Sequence, residues 1–310
     1  MKIVFMGTPH AAVASLSRLM ADGHDIVAVY TQPDKPSGRG NKILFSPIKR
    51  FAVDHEIPVL QPSKVRTPEA LEEFRSHNAD AAVVVAYGRI LPESFLNAFP
   101  MGAINAHFSL LPKYRGAAPV NWAIVHDEKT TGVTTMQMDA GLDTGPILLQ
   151  RETEIGENET AIELMQKLSV LGADLLSETV TRYQELEPRP QNELEASHAP
   201  IMRKEDGLIS WMLNARDISN RVRGFQPFPT AFTFFRGKKL TIWSSSLAES
   251  PHELSHPGEI IEAGGDRFLI FCGGDSVLQI NEVQPEGKRR MRARDFINGV
   301  RPEIGEVLGS

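Results

Sequence analysis

Residues 81–86, Ala-Ala-Val-Val-Val-Ala, are the stretch that most constrains how this chain can fold. Six consecutive apolar positions leave no polar side to face water, so a strand built from them needs cover on both faces. A parallel sheet sandwiched between helices supplies that cover. The preceding sequence has the same grammar. Thr8-Pro9 predicts a helix start, with the helix running to about Ala21 and Gly23 as its stop. Residues 26–31 read as a buried strand, Ser46-Pro47 as a second helix start, Val59-Leu60 as a short strand and Thr67-Pro68 as a third helix start. Strands alternating with helices in this way predict a doubly wound α/β domain.

An amphipathic pattern over residues 159–186 predicts a long helix that closes this domain. The prolines and mixed charge of residues 187–205 read as a linker. Beyond it the period changes. Residues 214–223 are helical, and alternating patterns at 230–235, 239–244, 268–272 and 277–283, with turns at Arg236-Gly237 and Gly273-Gly274, predict a small β-barrel. The resulting division is residues 1–188, a linker at 189–206 and a second domain at 207–310. A length of 310 residues with 41% hydrophobic content allows each domain its own core.

Several function classes are disfavoured. The first turn, Gly7-Thr8-Pro9-His10-Ala11-Ala12, carries one glycine where a dinucleotide-binding loop needs three, and no acidic residue ends the second strand. A formal net charge of −6 argues against nucleic-acid binding over the whole surface but allows a local basic patch. The single cysteine, Cys272, excludes an internal disulfide and multi-cysteine zinc sites, and reads as a small buried hydrophobe. No metal site is expected. The N-terminal apolar run is too short for a secretory signal and no apolar stretch is long enough to span a bilayer, so a cytoplasmic protein is expected.

Chemistry concentrates in residues 103–146. Strand periodicity puts Asn105 and His107 on one face, two residues apart, and Asp143 follows in Gly-Leu-Asp-Thr-Gly. An imidazole, a carboxylate to hold it and an amide to bind a developing oxyanion are the parts of an acyl-transfer site. From the residues alone, His107 could equally be a satisfied core histidine, Asn105 a strand-end hydrogen bonder and Asp143 a turn residue. Asp-Thr-Gly also occurs in aspartic proteases, but their dyad needs two such loops and this chain has one. A second candidate is the long Pro/Gly-rich loop at residues 32–47, where Lys35, Arg39 and Lys42, with Lys49 beyond it, could contact an anion or form a solvated insertion.

Asn105-Ala-His-Phe-Ser-Leu-Leu-Pro112, Tyr114-Arg-Gly-Ala-Ala-Pro119 and Asp139-Ala-Gly-Leu-Asp-Thr-Gly145 resemble the formyltransferases that use 10-formyltetrahydrofolate. The likeness extends to Gly7-Thr8-Pro9, Thr31-Gln32-Pro33-Asp34, Val85-Ala86-Tyr87-Gly88 and the C-terminal domain. It is strongest to the branch whose acceptor is the methionyl initiator tRNA. The resemblance implies a Rossmann-like formyltransferase domain followed by an OB-fold-like barrel, and a catalytic trio of Asn105, His107 and Asp143; two linked domains need no partner to form such a site, so a monomer is expected. It implies folate contacts at Tyr87, Gly88, Arg89, Ile90 and Leu91 and at Ser109, Leu110, Leu111 and Pro112. On the tRNA side it points to Arg39, with Lys35 and Lys42, in the loop after strand two. Further phosphate contacts are expected from Arg221, Arg223, Lys238, Lys239, Lys288, Arg289, Arg290, Arg292 and Arg294, with Arg290 and Arg294 sharing a helix face. The rivals are formylation of another amine, on an amino-sugar nucleotide or glycinamide ribonucleotide, and a non-catalytic RNA-binding module with a decayed folate site.

Overall fold

A computed structural model of the chain describes residues 1–37, 42–249 and 255–309. The chain divides into two compact units, one comprising Met1–Pro119, Thr130–Glu154 and Met165–Ala199, the other Val120–Lys129, Ile155–Leu164 and the chain from Pro200 onward.

The first unit is built on a seven-stranded sheet. Its elements are β1 (Lys2–Gly7), α1 (Ala11–Ala21), β2 (Asp25–Tyr30), α2 (Pro47–Asp54), β3 (Val59–Leu60), α3 (Pro68–Ser76), β4 (Ala81–Val85), β5 (Ala103–His107), β6 (Thr130–Gln137), β7 (Ile147–Glu154) and α4 (Ala161–Thr181). The strand order is β7-β6-β5-β4-β1-β2-β3, parallel from β5 to β3 and antiparallel where β6 and β7 join. Every residue of β4 is buried, which is the fate expected of an all-apolar strand in the middle of such a sheet. The chain leaves β1 for β2 on one side and later returns to place β4 on the other. The carboxyl ends of β1 and β4 therefore flank a topological switch point, where ligands bind in open α/β sheets.

Ser46 and Thr67 cap α2 and α3 as their Ser-Pro and Thr-Pro pairs predict, accepting from the backbone N–H of Lys49 and Ala70. Thr8 does not cap α1. That helix starts after His10 without a side-chain cap, because the Thr8 hydroxyl donates instead to the carbonyl of Tyr87 at 3.0 Å. Gly7 makes the tight turn possible: a Cβ there would lie 3.0 Å from the carbonyl oxygen of Val85 and 2.9 Å from the Phe5 ring. The helix expected over residues 159–186 is shorter, ending at Thr181 before a separate 3₁₀ turn at Tyr183–Glu185. It begins with a capping box, in which the Glu163 carboxylate accepts from Thr160 N–H and the Thr160 hydroxyl from Glu163 N–H.

Residues 189–199 are not a free linker. They are hydrogen-bonded into the first unit, through reciprocal backbone bonds between Ile147 and Arg189 and a parallel pairing of His198–Ala199 with Arg115–Gly116. Their backbone donors and acceptors find fixed partners, which a composition rich in proline and charge conceals.

The second unit carries an antiparallel sheet preceded by helix α5 (Ala215–Gly224). Its strands are β8 (Ala231–Phe235), β9 (Lys238–Ala248), β10 (Ile260–Gly264), β11 (Arg267–Cys272) and β12 (Ser276–Pro285), in the order β8-β9-β12-β11-β10. Helix α6 (Ala293–Val300) follows. The sequence pattern did not disclose β10. Residues 305–309 join the sheet's two ends: Ile260 and Gly305 exchange bonds with Glu306 and Ile260 carbonyls, Leu308 N–H donates to Gly258, and Gly309 N–H donates to Phe234. This bridge closes the small barrel that the alternating patterns predict. Inside lie Trp211, Ile218, Val222, Phe268, Phe296 and Leu308. Cys272 is fully buried, and burial pushes its thiol up to about 12, so it packs as a small hydrophobe.

Candidate active site

His107 ends β5 and Asn105 sits two residues before it on the same strand, both buried. The His107 Nε2 lies 2.9 Å from the carbonyl oxygen of Tyr114. A carbonyl can only accept, so Nε2 carries the hydrogen and Nδ1 is the nitrogen turned toward Asp143, whose Oδ2 is 3.6 Å away. At that separation Nδ1 is not hydrogen-bonded to the carboxylate. Asp143 Oδ2 accepts from the backbone N–H of Gly116 at 2.8 Å. Among the described residues the Asn105 amide makes no hydrogen bond to the protein. Amide, imidazole and carboxylate are thus drawn from one strand and one loop of the first unit, as the sequence leads one to expect.

Two glycines and one left-handed aspartate shape this loop. Asp143 has φ 55°, and Gly145 passes so close to β6 that a Cβ would overlap the carbonyl oxygen of Gln137 at 1.8 Å. Asp139 fixes the entry to the loop by accepting from Gly141 N–H at 3.1 Å and from the Thr144 hydroxyl at 2.7 Å. The turn before it is equally determined. Thr134 donates to the Ser109 carbonyl and accepts from Leu111 N–H, Ser109 donates to the Lys113 carbonyl, and the Leu111-Pro112 peptide is cis.

The two segments expected to meet folate follow the adjacent strands β4 and β5, and the first of them flanks the switch point. In the first, the Tyr87 side chain belongs to the core, while its carbonyl accepts from Thr8 and from Gln32, each at 3.0 Å. Gly88 has φ 82°. Arg89 bonds Gln32 and the Ser63 carbonyl, Ile90 is 68% exposed and Leu91 is buried. In the second, Ser109 and Leu111 are buried, with Leu110 and Pro112 partly open. Asp34, at the end of Gln32-Pro33-Asp34, pairs with Lys49 and accepts from Gln61, and these bonds hold its carboxyl below the usual range. Lys49 is therefore committed to Asp34 and is no free cation of the flap.

The basic residues separate into distinct groups. Arg39 lies outside the described residues, and although 35–37 and 42–44 form a small antiparallel hairpin, nothing is described of the Lys35 and Lys42 side chains. Arg223 is not available to a phosphate: it is 7% exposed, and its guanidinium donates to Asn220 and to the carbonyls of Glu159 and Gly156. Burial also lowers its basicity. Arg223→Ala should cost about 2–3 kcal/mol of stability, because the carbonyls it serves would lose their donors. Urea denaturation checks this, and a slackened salt dependence of tRNA binding would instead make Arg223 a phosphate contact. Arg290 and Arg294 do not share a helix face, since α6 starts at Ala293; Arg290 precedes it, pairs with Glu282 and lies over the Trp243 ring. Lys239 lies over Phe232 and Arg221 over Phe225, both as cation–π pairs. Lys238, Lys288, Arg289, Arg292 and Arg294 are exposed.

With this geometry established, the chain was compared with known proteins. It matches the formyl transferase family over residues 1–180 and the formyl transferase C-terminal domain over residues 201–301. The chain belongs to the formyl transferase family. Methionyl-tRNA formyltransferase of Acetivibrio thermocellus is 47% identical over 311 residues, covering 100% of both chains. Methionyl-tRNA formyltransferase of Geobacter metallireducens is 48% identical over 311 residues, covering 100% of this chain and 99% of the relative. An N-formyltransferase from Helicobacter canadensis, solved in complex with folinic acid and dTDP-3-aminofucose, superposes with a TM-score of 0.65 at 21% identity, over 92% of this chain and 99% of that one. This last likeness is one of fold. Formyl transferase membership accounts for the α/β unit and the antiparallel unit. No described helix is long and apolar enough to cross a membrane.

What sequence reasoning missed is the shell behind the trio. Gln191 and Glu193 lie in the stretch read as linker, yet both bond Arg115, and Gln191 also reaches the Asp143 loop. No periodicity marks them, since their partners are backbone carbonyls and one arginine far away in sequence.

Proposed function

We propose that this chain transfers the formyl group of 10-formyltetrahydrofolate to the α-amine of methionine carried on initiator tRNA, acting as a monomer in the cytoplasm. The observation that carries the reading is the approach of Asp143 to His107, with Asn105 two residues away on the same strand, in a chain 47% identical, end to end, to a methionyl-tRNA formyltransferase. The folate-carried formyl group would enter beside the switch point, between the loop after β4 and the turn after β5. Exposed Ile90 and Leu142 offer apolar surface on the loops that flank this region.

The reaction needs few parts. The amine nitrogen attacks the formyl carbon, the new N–C bond forms, and the carbonyl electrons move onto oxygen. As the intermediate collapses, the bond from that carbon to the folate nitrogen breaks, the amine loses a proton and the folate nitrogen gains one. The Asn105 amide can donate to the developing oxyanion. His107 Nδ1 is the nitrogen placed to exchange a proton with the reacting groups, and Asp143 stands on that side of the ring. Holding both reactants there supplies the rest of the acceleration.

The tRNA would be held by the exposed cations of the second unit, Lys238, Lys288, Arg289, Arg292 and Arg294, with Lys239, Arg221 and Arg290 on aromatic rings beside them and the loop holding Lys35, Arg39 and Lys42 as a further contact. Each phosphate neutralised should steepen the fall of log affinity with log salt by roughly 0.7 to 0.9. Purified chain, 10-formyltetrahydrofolate and methionyl initiator tRNA should give formyl-methionyl-tRNA, whereas an amino-sugar nucleotide or glycinamide ribonucleotide should not be formylated. Preference for either of those amines would reject the reading, and a flat salt response would remove the basic patch from it.

A further inference from the structure

Behind Asp143 the hydrogen bonds form a closed ring. The Gln191 amide donates to the carbonyls of Asp143 at 2.8 Å and Gly145 at 2.7 Å, so one side chain grips the loop on both sides of Thr144. Its oxygen accepts twice from Arg115, from Nε at 3.0 Å and Nη2 at 2.8 Å. The next residue, Gly116, donates its N–H to the Asp143 carboxylate, which closes the ring. Arg115 is 3% exposed and is fixed from its far side by both Glu193 oxygens, at 2.9 and 2.8 Å. Glu193 also holds the guanidinium fully charged.

We propose that Gln191, oriented by Arg115, is a positioning residue that sets where Asp143 stands against His107. The loop needs such a device. Asp143 occupies the left-handed region, which a non-glycine residue keeps only when its surroundings over-determine it. Its carboxylate is 3.6 Å from Nδ1, so a small drift of the loop changes that separation by a large fraction. Gln191 suits the task because one amide presents both a donating and an accepting end: the donors face two backbone carbonyls and the acceptor faces a buried cation. A carboxylate in its place could accept from Arg115 but could not donate to the loop. The assignment rests on the catalytic role proposed for Asp143.

The test uses the full chain with Gln191→Glu, which keeps the size and the Arg115 contact, and Gln191→Met, which keeps the size alone. Steady-state formylation of methionyl-tRNA and thermal unfolding are measured for each. Misplacement of a reacting group by about 1 Å can cost up to a hundredfold. The expected result is a kcat lowered at least about tenfold with KM for both substrates within about twofold, and a folded Gln191→Glu protein. Unchanged kcat overturns the proposal. So does a loss of activity seen only together with unfolding in both variants, or one expressed wholly in KM. Failure of the wild-type chain to formylate methionyl-tRNA rejects the proposed function, whereas an active wild type with unimpaired variants rejects the clamp alone.

Discussion

His107→Ala is expected to slow formyl transfer by about a hundredfold to a thousandfold, a barrier increase of about 3–4 kcal/mol, in line with loss of one group that meets the transition state. Its fold should survive. Among the described residues the imidazole's one hydrogen bond is to the Tyr114 carbonyl, and the surrounding turn is held independently by Thr134, Ser109 and Ser197. The decisive measurement is a single-turnover assay with saturating folate and charged tRNA, accompanied by circular dichroism. A variant that is folded and retains more than about a third of the wild-type rate would remove His107 from the chemistry, since a general acid–base group contributes far more than that. Asn105→Ala offers the complementary comparison. Its amide has no hydrogen-bond partner to lose among the described residues, so a rate effect in a folded variant reports on the oxyanion rather than on a broken structural hydrogen bond.

The largest effect on stability is expected from ending the chain after Ile304. Four backbone bonds at the barrel's junction disappear: Ile260 to Glu306, Gly305 to Ile260, Leu308 to Gly258 and Gly309 to Phe234. Each contributes about 1 kcal/mol net. Leu308, 2% exposed, adds about 2 kcal/mol of burial. The Glu306 pairing with Arg236 goes with them, though at a surface site it adds little. The sum, roughly 4–6 kcal/mol, is comparable to the whole stability of a small domain. Trp122, Trp211 and Trp243 all belong to the second unit, so tryptophan fluorescence in urea follows it selectively. The truncated chain should lose its folded plateau near zero denaturant. A midpoint unchanged from the full chain would show that residues 305–309 decorate the barrel without closing it. Leu308→Ala alone should cost about 2–3 kcal/mol, because the cavity it leaves lies in a packed core.

The parts of the fold that sequence discloses are those written in local chemistry. An all-apolar strand, Ser-Pro and Thr-Pro helix starts and period-two alternation each depend on residues within one or two turns of each other, and β4, α2, α3 and β11 follow from them. Thr8-Pro9 carries the same signal, but a carbonyl 79 residues away competes for the hydroxyl and wins. Arg223 fails as a surface cation for a related reason: the segment at Gly156 and Glu159 that buries it is distant in sequence. The placing of Asn105 and His107 on one strand was legible because their spacing of two carries it, and the structure brings Asp143 to within 3.6 Å of His107. Gln191 was not, since its partners are carbonyls, and every residue has one. The antiparallel strands β6 and β7 were also hidden, because their polar faces lack the continuous apolar signature of β4.

The closure at residues 305–309 also bears on the order of synthesis. The segment that seals the barrel emerges from the ribosome after every strand it joins. Until then β8 and β10 present unpaired backbone to their surroundings, and exposed strand edges invite pairing with other chains. The second unit is therefore most vulnerable to misassociation late in translation, when five strands are made and the stitch is still inside the exit tunnel.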